Sequence, residues 1–278
     1  MDDDLPRRPV SFVLAVSHTP WVRARAENME RMRTILKPPE TAVAYREVTD
    51  KLPNWQWAER MWTWAAQAAQ THGATHSVFL QDDLDLHPDF TDVMRAMIES
   101  VHNRVIGLIP NHPYGRRAMV QGDRWFLTSE CLGSGYILPT ELLLAFLRWR
   151  STQPSWRIRT TNEDFLITCW VNATRRRTWH PVPSPVDPRR DIQSTNPSDL
   201  YPFRRSYVRW DASVACGLDL TSSTTWHPAR PPMDFGFDAK TASIALGKDP
   251  IRPPSHQDPA IFEEHARIVR EESNGMRY

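Results

Sequence analysis

Cysteine, long apolar runs and net charge are all scarce in this chain of 278 residues, and each shortage excludes a class of protein. Its three cysteines, Cys131, Cys169 and Cys216, are too few and too scattered for a disulfide framework or a zinc knuckle. No apolar run approaches the roughly 18 residues that a membrane span needs, and no glycine-rich P-loop signature is present. The acidic start, Met1 to Asp4, is unlike the basic first region of a signal peptide, so we expect a cytoplasmic protein with reduced thiols.

The formal net charge is only +1 at pH 7, because 34 basic residues face 33 acidic ones. This balance gives no overall attraction to nucleic acid or to an anionic membrane. The apolar fraction of 40% and the charged fraction of 24% are typical of a globular protein. The length allows one large α/β domain with an extension.

The most informative stretch runs from Ser77 to Phe90. The apolar run from Val78 to Leu80 suits a strand buried on both faces, and the carboxylates Asp82, Asp83 and Asp85 follow it directly. Ligands of open α/β sheets bind beyond the carboxyl ends of strands, and carboxylates there suit Mg²⁺ or Mn²⁺ bridged to a diphosphate. A solvated acidic turn that caps the next helix would account for the same residues. The spacing alone therefore leaves both interpretations open.

Strand and helix patterns alternate ahead of this stretch. Val10 to Val16 and Thr41 to Val48 have the β-rich composition of strands, and Arg23 to Leu36 carries a helical pattern. Trp55 to His72 predicts an amphipathic helix, which Gly73 ends as a left-handed C-terminal glycine. Together with the strand before the acidic residues, these segments predict β-α-β-α-β, the nucleotide-binding half of an α/β fold.

The patterns continue beyond the acidic stretch, although they become weaker after residue 200. They predict a helix over Phe90–Val101, a strand over Arg104–Pro110, a β-hairpin with arms Ala118–Gln121 and Arg124–Thr128, a helix over Glu141–Trp149, a helix from Glu163 to about Val171, and a last helix over Pro259–Glu272.

The acidic stretch resembles the metal-binding DxD or EDD element of GT-A glycosyltransferases. The N-acetylglucosaminyltransferase I group has Glu-Asp-Asp-Leu and then Pro-Asp-Phe, whereas this chain has Gln81-Asp82-Asp83-Leu84 and then Pro88-Asp89-Phe90. Gln81 in place of glutamate is a departure from that pattern. The resemblance, which extends to small phage and bacterial glycosyltransferases, implies an α/β, GT-A (Rossmann-like) domain with a mixed, mostly parallel sheet. Because the chain is weakly periodic beyond residue 200, we expect a core over residues 1–199 and a C-terminal extension over 200–278 that wraps the core or lids the site.

The resemblance also implies roles for individual residues. Asp83 would be the principal ligand of Mn²⁺ or Mg²⁺, with Asp85 and His180 as further candidates. A glycine-containing turn, Gly133-Ser134-Gly135, would line the sugar pocket, and the acidic pair Glu163-Asp164 would supply the base, with Asp164 the better match. The donor-binding candidates at the strand ends are Ser17, His18, Thr19, Arg23, Asp50 and Asp82. Thr19 followed by Pro20 is also a good helix start without any ligand.

The expected reaction is metal-dependent transfer of a sugar from a nucleotide-sugar donor, a UDP-sugar first, to an acceptor hydroxyl. The acceptor would belong to a protein, a glycan or a modified DNA base, as with some phage enzymes, and the transfer would invert the anomeric centre if Asp164 lies in line. Two other classes stay open. One is a nucleotidyltransferase or other phosphoryl-transfer enzyme that uses the same acids on two metals. The other is a non-enzymatic nucleic-acid-binding protein that uses the arginine clusters 175–177, 189–190 and 204–205.

Overall fold

The computed structural model describes residues 9–109, 114–131, 135–155, 158, 163–189, 191–192, 209–211 and 217–235. The strands are β1 Phe12–Ser17, β2 Ala44–Val48, β3 His76–Gln81, β4 Leu84–Leu86, β5 Val105–Gly107, β6 Trp125–Thr128, β7 Gly135–Pro139, β8 Thr178–Pro181, β9 Val186–Pro188 and β10 Met233–Asp234. The helices are α1 Arg23–Leu36, α2 Pro38–Thr41, α3 Asn54–His72, α4 Phe90–Ser100, α5 Tyr114–Val120, α6 Thr140–Ser151, α7 Glu163–Ala173 and α8 Ser223–Trp226.

Eight of the strands form one sheet in the order β10-β6-β8-β5-β7-β3-β1-β2. Four of its seven pairings are parallel, and the pairings β3–β7, β5–β7 and β6–β8 are antiparallel. Strands β4 and β9 form a separate antiparallel ribbon. The expected α/β fold with a mixed, mostly parallel sheet is thus confirmed. The expected helix over Pro259–Glu272 lies outside the described residues, as does most of the proposed extension.

Alternating side chains of β1 explain why the sheet is covered on both faces. Phe12, Leu14 and Val16 belong to a hydrophobic cluster that contains side chains of α1 and α4. Val13 and Ala15 belong to a second cluster that contains side chains of α3, α6 and α7. Apolar runs mark strands that are buried on both faces, and this is why β1 and the Val78–Leu80 part of β3 are easy to find in the sequence. Among the described residues, none of the helices combines the length and apolar character that crossing a bilayer requires.

Helix α3 places one of its tryptophans fully in the core. Trp62 is fully buried, meets Phe146 edge-to-face at 4.8 Å between ring centres, and donates its indole N–H to the Tyr136 hydroxyl at 2.7 Å. Gly73 ends the helix with φ at 63° and donates its N–H to the Ala69 carbonyl. The helix therefore begins and ends where its pattern and its C-terminal glycine predict.

The predicted β-hairpin is wrong in its first arm. Residues 114–120 form the helix α5, and only β6, inside the predicted second arm, is a strand. In a strand Ala118 and Val120 would share one face, yet Ala118 is fully buried and Val120 is 88% exposed. A helix separates the two side chains, and it places Gly115 and Ala118 together on the buried face at a spacing of three. Gly122 still makes the turn, with φ at 76°.

A buried histidine at the start of β3 gives the fold a defined response to pH. The His76 Nε2–H donates to the His102 carbonyl at 2.7 Å, and burial lowers the His76 pKa from 6.5 to about 4. Between these values the unfolded chain binds more protons than the folded one, so stability falls as pH falls. We expect His76 to contribute up to about 1.4 kcal/mol per pH unit to that slope.

Urea unfolding at several pH values from 7 to 5 tests this expectation. His76→Gln should remove this part of the slope, whereas His72→Gln, an exposed change at the end of α3, should leave it unchanged. Parallel curves for wild type and His76→Gln would show that the assignment is wrong.

Candidate functional site

The carboxyl ends of three parallel strands meet at one edge of the sheet. In the register, Ser17 of β1 lies between Val48 of β2 and Gln81 of β3. The segments that leave β1 and β3 stay together, since the Asp82 N–H donates to the Ser17 carbonyl at 3.0 Å. Polar residues after adjacent strands therefore converge here, which is the expected position for a ligand in an open α/β sheet.

Asp82 is fully buried, and both of its carboxylate oxygens are held by the protein. Its Oδ2 accepts the Thr19 backbone N–H at 2.6 Å and the His18 Nδ1–H at 3.1 Å. Its Oδ1 accepts from Arg25 Nη1. Through its bonds to His18 and Thr19, Asp82 holds the turn after β1 in place. A direct bond from Asp82 to a nucleoside would require this fully buried carboxylate to become accessible.

Arg25 bridges the two carboxylates of the motif. Its Nη2 donates to Asp83 Oδ2 at 2.8 Å while Nη1 contacts Asp82. The guanidinium group is buried, so its charge offsets part of the repulsion between two adjacent buried acids. Asp83 is also held through its backbone, because the Arg189 N–H donates to the Asp83 carbonyl at 2.8 Å.

Sequence reasoning names Arg23 of α1 and misses Arg25, which contacts Asp82 and Asp83. The Arg23 side chain is 92% exposed and pairs with Glu27, whereas the Arg25 side chain is 4% exposed. The Asn28 side chain, also missed, donates from Nδ2 to the Asp82 carbonyl at 2.8 Å and to the Leu84 carbonyl at 2.9 Å. A signal was present, because residues 25, 28, 29, 32 and 36 share one helical face with a spacing of three to four. Two polar residues at the start of that otherwise apolar face indicate a buried polar contact.

Asp85 belongs to the ribbon formed by β4 and β9, where it lies opposite Asp187. Like charges in that position repel, and arginines compensate for them. Arg209 Nη2 donates to Asp85 at 3.1 Å, Arg209 Nη1 lies 3.8 Å from Asp187, and Arg31 contacts the other oxygen of Asp85. Asp85 is therefore held by arginines in the described part of the chain.

His180 lies in β8, three strands away from β3 in the sheet. At the usual spacing of strands this is about 14 Å. Its buried ring stacks on Phe126, and its Nδ1–H donates to the Gly107 carbonyl at 3.1 Å. A larger residue does not fit at position 107, because a Cβ there would lie 2.7 Å from Cε1 of the His180 ring. The structure thus does not bring His180 to Asp83, and it gives the ring a packing role. Within the described ranges, no group of three His, Cys, Asp or Glu side chains could hold a metal ion.

Of the remaining donor-site candidates, the structure describes Asp50 and Gly135. Asp50 follows β2 and pairs with Arg60 at 2.8 Å. Gly135 lies at the strand-end edge, because antiparallel pairing places it beside Leu80 at the end of β3. Gly133 and Ser134 lie outside the described residues.

The acidic pair at the start of α7 reaches the same edge of the sheet. Buried Glu163 accepts a hydrogen bond from Gln81 Nε2 at 3.1 Å, and half-buried Asp164 accepts the Phe165 N–H at 2.8 Å. Gln81 can donate this bond where a glutamate would add repulsion, and this gives the departure from the family pattern a physical reason. Burial is the main reason why the pKa of the Cys131 thiol is raised, and the charges of Asp164 and Glu163 raise it further. The thiol therefore stays protonated.

Comparison with known proteins adds little to this geometry. No family model matches the sequence, and no curated protein matches it. Among solved structures, the chain is similar to a glycosyltransferase involved in the glycosylation of the major capsid of PBCV-1, with a TM-score of 0.33 and 14% sequence identity. The match covers 55% of this chain and 71% of that chain. A likeness this loose carries no argument about function, which therefore has to be argued from the site.

Proposed function

We propose that the protein is a glycosyltransferase that moves a sugar from a nucleotide-sugar donor to an acceptor hydroxyl. One observation carries the proposal: the turn after β1, the acidic end of β3 and the acidic start of α7 converge at one edge of the sheet. Hydrogen bonds from Thr19 to Asp82 and from Gln81 to Glu163 connect these three segments. That edge is where open α/β sheets bind ligands, and the acidic motif resembles the donor-binding element of GT-A enzymes.

Within this proposal the donor nucleotide lies beyond the ends of β1 and β3. Ser17 and the turn at His18 and Thr19 would face the nucleoside. Asp82 acts indirectly, since its buried carboxylate fixes the backbone of that turn through the Thr19 N–H. A UDP-sugar is the first donor to test.

The resemblance of the acidic motif implies Mn²⁺ or Mg²⁺, and the side chains present suit an ion that the substrate shares. Mg²⁺ is commonly bound by one or two carboxylates together with substrate phosphates, which does not require three protein ligands. Asp83 would be the principal ligand, and Asp85 would approach the ion through water. When bound, the ion neutralises the charge of the departing diphosphate. Arg25 already contacts Asp83, so the ion and the guanidinium group would have to share that carboxylate.

We assign the base to Asp164 and a positioning role to Glu163. Asp164 is half-buried, which leaves it accessible to an acceptor hydroxyl, whereas Glu163 is buried against Gln81. A carboxylate near the acceptor can take its proton at neutral pH when it is partly desolvated. Attack in line with the departing diphosphate would invert the anomeric centre.

Donor turnover distinguishes this proposal from phosphoryl transfer. The purified protein is incubated with Mn²⁺ and with radiolabelled UDP-glucose, UDP-galactose, UDP-N-acetylglucosamine or GDP-mannose, and in parallel with nucleoside triphosphates. We expect slow hydrolysis of at least one nucleotide-sugar to the nucleoside diphosphate, and loss of that turnover in Asp83→Asn. Release of pyrophosphate from a triphosphate, with every nucleotide-sugar intact, would instead identify a nucleotidyltransferase.

The described arginines argue against a nucleic-acid-binding role. Arg177 makes two hydrogen bonds of 2.8 Å to Asp234, Arg176 lies over the Trp170 ring, and Arg189 pairs with Asp191. Arg190, Arg204 and Arg205 lie outside the described residues. Because binding to phosphates requires available positive charge, we expect no gel shift of a DNA or RNA duplex at physiological salt. A shift that weakens steeply with salt would favour the nucleic-acid hypothesis.

A further inference from the structure

The guanidinium group of Arg25 already occupies the carboxylates that the proposed ion would use. Its Nη1 contacts Asp82, and its Nη2 donates to Asp83 Oδ2 at 2.8 Å. The side chains of Arg25, Asp82 and Asp83 are only 4%, 0% and 9% exposed. Water screens charges poorly at such depth, so each of them responds strongly to any charge that is added nearby. We call this group of three side chains the Arg25 bridge.

Contacts to the backbone hold the two halves of the Arg25 bridge against each other. The Asn28 side chain donates to the carbonyls of Asp82 and Leu84, which ties α1 to the acidic motif. The Asp82 carboxylate accepts the Thr19 N–H at 2.6 Å, which ties the motif to the turn before α1. An ion that approaches Asp83 therefore meets the positive charge of Arg25 already in place.

The charge of the Arg25 bridge suits a divalent ion only when an anion accompanies it. Two carboxylates and one guanidinium group leave a single negative charge on these side chains. A divalent ion alone would turn this into an excess of positive charge in a buried place, where like charges disfavour each other. The carboxylates of the neighbouring ribbon do not compensate, because Asp85 and Asp187 face Arg31 and Arg209. A nucleoside diphosphate would bring the missing negative charge.

We propose that Arg25 makes binding of the divalent ion depend on the diphosphate of the donor. Without nucleotide, the guanidinium group satisfies Asp83 and disfavours a second cation. With the diphosphate present, its negative charge offsets both cations and the ion binds. Coupling of this kind is reciprocal, so the ion tightens nucleotide binding by the same factor, which is typically about 5–150-fold. This role rests on the proposed function, because it takes Asp83 as the ligand of an ion that the donor shares.

Electron paramagnetic resonance of free Mn²⁺ measures how much of the ion the full chain binds. The wild type should bind Mn²⁺ at least about tenfold more weakly without nucleotide than with UDP, after correction for the Mn²⁺–UDP complex that forms in solution. Arg25→Met should bind Mn²⁺ without nucleotide at least about tenfold more tightly than the wild type, since its two buried carboxylates then lack a cation. Arg23→Met, an exposed change on the same helix, should match the wild type. Adding Asp83→Asn to Arg25→Met should remove the gain.

Urea unfolding without nucleotide gives a second readout. Mn²⁺ should raise the unfolding midpoint of Arg25→Met and leave that of the wild type unchanged, because an ion stabilises only a folded state that binds it. Wild-type protein that takes up Mn²⁺ alone as tightly as with UDP would overturn the role of Arg25, even if the variant does not fold. Equal Mn²⁺ affinities of Arg25→Met and the wild type, or no Mn²⁺ binding under any of these conditions, would overturn it as well. Nucleotide-sugar turnover, measured separately, shows in each case whether the glycosyltransferase function stands.

Discussion

Asp164→Asn is expected to slow sugar transfer to an authentic acceptor by about 10²–10⁴-fold, the usual effect of losing a general base. Asparagine keeps the size of the side chain but removes the charge that takes the proton. Its carbonyl oxygen can still accept the Phe165 N–H, so the start of α7 should be preserved. Donor affinity should change little, because Asp83 and the turn after β1 are untouched. Single-turnover rates, measured beside the dissociation constant of the donor, separate the two effects.

Glu163→Gln is the matched control at the neighbouring position, and its effect is expected to be much milder. Glu163 is buried and accepts from Gln81, and the carbonyl of a glutamine can take over that bond. If Glu163→Gln proves the slower of the two variants, the roles of base and positioning residue must be exchanged. Unchanged transfer in both variants would contradict the inverting mechanism proposed above.

Arg25→Met is expected to lower the free energy of unfolding by about 3–5 kcal/mol, as is usual when one member of a buried ion pair is removed. Methionine keeps much of the buried stem of the side chain but removes the guanidinium group that contacts both Asp82 and Asp83. Two adjacent buried carboxylates would then repel each other without a cation. Urea unfolding at neutral pH measures the loss.

The control is Arg23→Met, two residues earlier on the same helix. Its side chain is almost fully exposed and pairs with Glu27, so we expect little or no change in the free energy of unfolding. Asp83→Asn in the Arg25→Met background should restore part of the lost stability because it removes one of the two negative charges. Equal effects of the two methionine variants would show that the bridge does not stabilise the fold.

The sequence predicts best those parts of the fold whose signals are local. β1 and β3 are recognisable because each contains an apolar run that is buried on both faces of the sheet. The bounds of α1 match its helical pattern, and those of α3 follow from its apolar spacing and from Gly73, whose left-handed conformation ends the helix. The acidic residues stand at the end of β3 as predicted, since a buried strand has to end where two charges begin.

The missed features depend on partners that are distant in sequence. The ribbon of β4 and β9 pairs residues about a hundred positions apart, and three-residue strands have no periodicity to detect. The contact of Arg25 is missed because a helical pattern shows which face of the helix is buried, but it does not show that Asp82 and Asp83 lie against that face. The first hairpin arm is predicted in place of helix α5 because a short segment that contains Val120 fits both periods. The exposed position of the Val120 side chain decides for the helix.

Nucleotide binding by thermal denaturation tests the central proposal most directly. UDP with Mn²⁺ should stabilise the wild-type protein by about 2.7 kcal/mol at a concentration a hundredfold above the dissociation constant, and UDP with a chelator should stabilise it less. Asp83→Ala should keep the fold and lose the Mn²⁺-dependent part of this stabilisation, while Asp92→Ala, an exposed change in α4, serves as the control. Undiminished Mn²⁺-dependent stabilisation of Asp83→Ala, or no stabilisation of the wild type by any nucleoside diphosphate, would contradict a donor site at the end of β3.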